Sequence, residues 1–163
     1  MTARQDRIAA LKQIAKERIL ILDGSWGVMI QKRGLDEADY RGERFAGHAQ
    51  ELKGNNDLLC ITRPDIIGDL HDQYYAAGAD ISETNTFSAT TIAQAEYDCG
   101  EAVYDINYQG ARIARERADA WTAKEPHKPR FVAGSVGPLP KMLSMSSDVN
   151  DPGARLVTFE EVY

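Results

Sequence analysis

The run Ile19-Leu20-Ile21-Leu22, closed by Asp23-Gly24, constrains this chain more than any other segment. Four consecutive apolar residues ahead of a turn signal read as a strand buried on both faces. Such strands belong to parallel sheets covered by helices. Ahead of it, Ile8, Leu11, Ile14 and Ala15 recur at helical spacing and predict an amphipathic helix over Arg4 to Arg18.

The segments that follow alternate in the same sense. Residues 23 to about 62 are rich in glycine and polar residues and predict a long connection, with one short helical turn at Val28 to Lys32; connections of that length often carry function. Thr62-Arg63-Pro64-Asp65 predicts a helix start, with Thr62 as cap, Pro64 in the first turn and Asp65 complementing the dipole. Ile66, Ile67, Leu70, Tyr74 and Ala77 continue the stripe, and Gly78 stands where a glycine ends a helix. A strand is predicted over Ala79 to Thr86, and a helical stretch from Ser88 to near Gly100. A long helix over Glu101 to Ala123 is ended by Pro126 and Pro129, and a third strand covers Arg130 to Ala133. Helices between strands imply parallel crossovers, so the fold class is α/β. Either a doubly wound sheet or the opening half of a (βα)8 barrel fits this order. Thr158-Phe159-Glu160-Glu161 is a capping box that announces a further helix. The chain stops at Tyr163 about one turn later, which predicts a sequence cut off inside an element.

Composition narrows the function classes. The chain has 163 residues without a Pro/Ser-rich linker, so one unit spanning 1–163 is expected, with no second domain. A net charge of −6 argues against a nucleic-acid partner. No apolar run is long enough for a membrane span and no signal-peptide core opens the chain, so a cytoplasmic protein without a membrane partner is expected. Cys60 and Cys99 fit neither a metal knuckle nor a disulfide framework, and Cys60, beside Leu58-Leu59, reads as buried and inert.

Ligands of parallel α/β folds sit at the carboxyl ends of the strands. Three segments fall there: Asp23-Gly24-Ser25-Trp26-Gly27, Glu83-Thr84-Asn85-Thr86-Phe87 and Gly134-Ser135-Val136-Gly137-Pro138. Asp23 can partner an ammonium group, while the N–H groups of Gly24 and Ser25 can take a carboxylate, a pairing that suits an amino-acid head group. A structural alternative is Asp23 capping its own turn. Glu83 is a carboxylate in a strand, which requires a partner or water: a pairing arginine or a wet barrel interior would equally account for it. Thr84, Asn85 and Thr86 offer hydroxyls and an amide for orienting a polar ligand. The glycine loop at 134–138 is neither GxGxxG nor a Walker motif, which counts against a nucleotide-binding domain. His71, on the helix that starts at Pro64, reads as a surface or satisfied core histidine rather than a ligand.

These segments, in this order, resemble the homocysteine S-methyltransferase family. The matching stretches are Leu22 to Gly27, Lys53-Gly54-Asn55-Asn56-Asp57-Leu58-Leu59, Ala77 to Ile81 with Glu83 to Phe87, and Ala133 to Pro138 continued by Ser144 to Pro152. Gly54 to Leu59 and Asp148 to Pro152 point, within that family, to the N-terminal homocysteine-binding module of the cobalamin-dependent methionine synthases. The resemblance implies about three βα units of an incomplete (βα)8 TIM barrel. It also implies homocysteine as substrate, a zinc ion that activates the thiol, and methylcobalamin, remethylated from methyltetrahydrofolate, as methyl donor. The zinc cysteines of the family lie on later strands, so no metal ligand is assigned here and the catalytic residues stay unknown. The residues it places at the homocysteine pocket are Asp23, Gly24, Ser25, Glu83, Thr84, Asn85, Thr86, Phe87, Ser135 and Val136. The missing C-terminal barrel half and the cobalamin and folate domains are the implied partners. Three strands leave an open sheet edge, so the chain alone is expected to be poorly stable; it is expected to be inactive because thiol activation needs the metal site of the later strands. A free-standing homocysteine- or amino-acid-binding module without catalysis is the alternative.

Overall fold

The computed structural model describes residues 3–144, 146 and 148–162; Met1, Thr2, Met145, Ser147 and Tyr163 lie outside the described residues, and with them part of the Ser144 to Pro152 stretch. Helix α1 (Ala3–Glu17) leads to the first strand position. The long connection carries α2 (Trp26–Gln31), α3 (Glu37–Arg41), a 3₁₀ turn (Asn56–Leu58) and α4 (Leu59–Thr62), so it is more ordered than its composition predicts. Helix α5 (Pro64–Ala76) feeds strand β1 (Ile81–Glu83). Helix α6 (Thr91–Gln94) and α7 (Val103–Lys124) lead to β2 (Phe131–Ala133), and α8 (Phe159–Val162) follows.

Strands β1 and β2 pair in parallel, with Ile81 opposite Phe131, Ser82 opposite Val132 and Glu83 opposite Ala133. Leu22 adds a single parallel bridge to Ile81 on the other side of β1. The mixed α/β class and the parallel crossover therefore agree with the sequence pattern. The doubly buried strand does not: Ile19 is 88% exposed, Ile21 57% and Leu22 48%. Backbone bonds from Asp80 and Ile81 N–H to the Ile21 carbonyl, and from Asp23 N–H to the Ile81 carbonyl, hold this segment along one edge only. No described strand pairs along its other edge.

Three further boundaries differ for local reasons. Thr62 ends α4, with its hydroxyl donating to the Leu58 carbonyl, and α5 is entered through Arg63 without a side-chain cap. The strand predicted to reach Thr86 stops at Glu83 because Thr86 N–H turns back to the Thr84 carbonyl. The stretch predicted as helical from Ser88 starts later, at Thr91 with Thr90 as cap, and breaks at Asp98, whose φ of 52° is left-handed. Two expectations hold in detail. Gly78, at φ 108°, closes α5: its N–H reaches the Tyr75 carbonyl while Ala79 N–H reaches Tyr74, a Schellman motif. Thr158 and Glu161 exchange the two bonds of a capping box ahead of α8.

The core lies on the helical side of the sheet. Leu58 and Leu59 from the end of the long connection, Ile67 and Leu70 from α5, and Ile106 and Ile113 from α7 form it with Ile30, Tyr40 and Leu52. Burial of each such side chain contributes about 1.5–3 kcal/mol. Gly110 lets α7 lie against the loop after β1: a Cβ there would come within 2.7 Å of Thr86 Cγ2 and 3.3 Å of Cys60 Sγ. Below the strands, Asp80 is fully buried and takes both Arg18 guanidinium nitrogens, at 2.7 and 2.8 Å, and the Ile21 N–H at 2.9 Å. That knot ties the end of α1 to the start of β1.

Candidate active site at the strand ends

A cavity of about 360 Å3 opens at the carboxyl ends of the parallel strands. Gly24, Ser25, Glu83, Thr84, Asn85, Phe87 and Ser135 line it, seven of the ten residues singled out from sequence. Asp23 lies directly below, with Glu83 N–H 3.1 Å from each of its carboxylate oxygens. Thr86 stands behind the wall, donating to the Ser135 carbonyl at 2.9 Å. Val136 is 84% exposed and does not line the cavity.

The three segments meet because hydrogen bonds cross between them. Thr84 Oγ1 accepts from Ser135 N–H at 2.9 Å and lies 2.7 Å from Thr86 Oγ1. Ser135 Oγ stands 3.3 Å from Glu83 Oε2 and donates to it. Gly137 N–H reaches the Phe87 carbonyl at 2.8 Å, an approach that leaves no room for a Cβ. The Ser25 backbone is left-handed, at φ 61°, where it turns the chain from the strand edge into α2.

The sequence pattern assigns no pocket role to the wall contributed by the long connection, although Gly54-Asn55-Asn56-Asp57 is among the stretches that carry the family resemblance. Asn55 and Gln94 are both buried and exchange amide hydrogen bonds of 2.8 and 3.0 Å. Asn85 Nδ2 donates to the Asn56 carbonyl at 2.7 Å. Glu37 holds the preceding loop by accepting from Leu52 and Lys53 N–H groups. Asp57 also faces the cavity; burial pushes its carboxyl up to about 6, against the opposing Ser88 N–H. The cavity thus presents two carboxylates, amides, hydroxyls and glycine backbone. Such a set can pair with a cationic group and hydrogen-bond a polar ligand.

A larger cavity of about 630 Å3 lies between α1 and α7, with Arg4, Arg7, Arg112 and Arg115 around an apolar floor. It contains no carboxylate and none of the strand-end residues.

The thiols do not fit a metal site. Cys60 is buried, donates to the Asn85 carbonyl at 3.2 Å, and burial pushes its thiol up to about 12, so it stays protonated. Cys99 is buried and free. Among the described residues no three His, Cys, Asp or Glu side chains converge on one point.

A parallel α/β chain with a cavity lined by carboxylates, amides and hydroxyls at its strand ends is the class that fold and site define. The model of the homocysteine S-methyltransferase family matches residues 20–163, and the chain belongs to that family. Among solved structures it is similar to the homocysteine methyltransferase MmuM from Escherichia coli. The metallated form is 26% identical with a TM-score of 0.60, covering 78% of this chain and 41% of that one. The oxidized form is 27% identical with a TM-score of 0.61, covering 78% and 40%. This chain spans about two fifths of the length of those enzymes.

Proposed function

We propose that this chain forms the opening part of a (βα)8 barrel that binds homocysteine. The enzyme it belongs to transfers a methyl group from methylcobalamin, and ultimately from methyltetrahydrofolate, to the homocysteine thiol to give methionine. The cavity at the ends of the parallel strands carries this proposal, because its groups match an amino-acid head group end by end. Glu83, with Asp23 below it, faces the ammonium group. The N–H groups of Gly24 and Ser25, which bond to no described residue, take the carboxylate. Thr84, Asn85 and Thr86 hold the wall, Ser135 orients Glu83, and Phe87 lines the cavity. The side chain of a bound homocysteine then extends past these segments.

Thiol activation by zinc in this family needs ligands that the described residues do not supply. We therefore assign this segment binding and orientation of homocysteine, with catalysis requiring a C-terminal barrel half and cobalamin and folate domains. The free thiols, and the lack of any described helix long and apolar enough to cross a membrane, support a cytoplasmic setting. The test is methyl transfer to homocysteine by the 163-residue chain alone and after addition of a C-terminal barrel half, with zinc and methylcobalamin present. Activity only after complementation supports the proposal, and turnover by the chain alone contradicts it. A second reading, a homocysteine-binding module without catalysis, is favoured by one observation: every group matched to the head group lies on this chain. Zinc-independent binding combined with failure to complement would select it.

A further inference from the structure

Asp23 is held by an unusual set of donors. Its Oδ2 accepts from Trp26 Nε1 at 3.0 Å and from the Ser82 hydroxyl, and the Glu83 N–H is shared between both oxygens. Among the described residues Oδ1 receives only that shared bond and keeps spare acceptor capacity. Ser82 is fully buried, pointing from β1 toward α5, and His71 Nδ1 of that helix lies 2.7 Å from its oxygen. A carboxylate accepts and cannot donate, so the single Ser82 proton points at Asp23. Ser82 must then accept from His71, which places the imidazole proton on Nδ1. Burial, reinforced by the positive charge of Arg117, lowers His71 to about 4, so the ring is neutral at neutral pH. Nε2 is buried and has no hydrogen-bond partner among the described residues; the ring meets Trp26 edge-on, with centroids 4.6 Å apart, and stacks on Tyr75. This arrangement of protons pairs each contact from His71 Nδ1 through Ser82 to the Asp23 carboxylate.

We infer that Ser82 and His71 are positioning residues for the ammonium group of the substrate: they fix the Asp23 carboxylate through Oδ2 and leave Oδ1 to accept, without touching the substrate. The role presupposes that the strand-end cavity takes homocysteine. A merely structural role for a buried Ser–His pair would weaken folding and leave the ligands of the folded protein undiscriminated. A positioning role acts on one end of one ligand.

The experiment compares L-homocysteine with 4-mercaptobutanoate, which keeps the thiol and carboxylate and lacks the amino group. Dissociation constants are measured by NMR titration for the wild type, Ser82→Ala and Ser82→Thr. The loss of one hydrogen bond to a charged group predicts that Ser82→Ala binds homocysteine about tenfold more weakly. Its affinity for 4-mercaptobutanoate is unchanged, and Ser82→Thr, which keeps the hydroxyl, restores homocysteine binding. His71→Asn, which keeps a donor near Nδ1, and His71→Leu, which does not, repeat the comparison from α5 should Ser82→Ala fail to fold. The ¹⁵N shifts of His71 in the wild type report the Nδ1–H tautomer. An Nε2–H tautomer, or a Ser82→Ala variant that loses both ligands equally or neither, overturns the positioning role while homocysteine binding stands. A folded wild type that binds no homocysteine overturns the binding proposal itself, and the positioning role with it.

Discussion

Asn55 and Gln94 close a two-bond ring between their amides, each donating to the other's oxygen, with both side chains out of contact with water. The ring joins the Gly54 loop to α6, and through it one wall of the cavity to the other. Gln94→Leu leaves the Asn55 amide buried and unpaired, which costs about 1–3 kcal/mol. Urea unfolding should show that loss, together with weaker homocysteine binding in the protein that remains folded.

Gly110 and Gly137 set the depth of the site by close approach. Gly110→Ala drives a methyl group toward Thr86 and Cys60, and overpacking of that kind costs about 1–3 kcal/mol. Gly137→Ala meets the Phe87 backbone carbonyl and ring, and moves the Ser135 loop away from Thr84. Thermal unfolding should register the first more strongly, and ligand affinity the second.

Asp80 predicts an acid-sensitive contribution at the base of the sheet. Burial alone would raise its carboxyl, but Arg18, the Ile21 N–H and Lys128 outweigh burial and hold it below its ordinary value. A depressed carboxylate stabilises the fold above its unfolded pKa, and that contribution is lost as pH falls through the folded one. Asp80→Asn should destabilise the chain at pH 7 by about 1–3 kcal/mol, reduced from the fully buried case because Arg18 is 40% exposed. The gap from wild type should close as the solution is acidified below about pH 4. Denaturant unfolding across that range measures it.

His71 and Asp57 pull in opposite directions between pH 4 and 6. His71 falls from 6.5 to about 4 on folding, so its contribution is present above 6.5 and lost as pH drops toward 4. Asp57 rises from 3.8 to about 6, so its contribution is present below 3.8 and lost as pH climbs through 6. Each is on the order of 3 kcal/mol. In the wild type the two slopes offset one another. Asp57→Asn should expose the histidine slope, with stability falling steadily from pH 6.5 to 4, as read by denaturant midpoints.

Much of this was legible in the sequence where local chemistry decides the outcome. Gly78 and the Thr158–Glu161 box behave as their capping chemistry dictates, Cys60 is buried and inert, and the strand-end rule brought Glu83, Asn85 and Ser135 to one cavity. What stayed hidden depends on contacts between distant segments. The apolar run at 19–22 implies burial on both faces, but burial needs a neighbouring strand, and among the described residues none pairs along its other edge. The order in the long connection rests on Glu37 and Asn55 finding partners far along the chain. Ser82 gives no signal and His71 reads only as a surface or core histidine, because a serine facing a helix acquires meaning only once a histidine stands opposite.

The central claim is that the strand-end cavity binds homocysteine. An ¹H–¹⁵N correlation titration of the folded chain with L-homocysteine tests it, since it detects weak binding and locates it. The account predicts saturable shifts at Gly24, Ser25, Glu83, Asn85 and Ser135, lost in Glu83→Gln. A folded chain whose spectrum does not change, or whose shifts gather instead between α1 and α7, contradicts it.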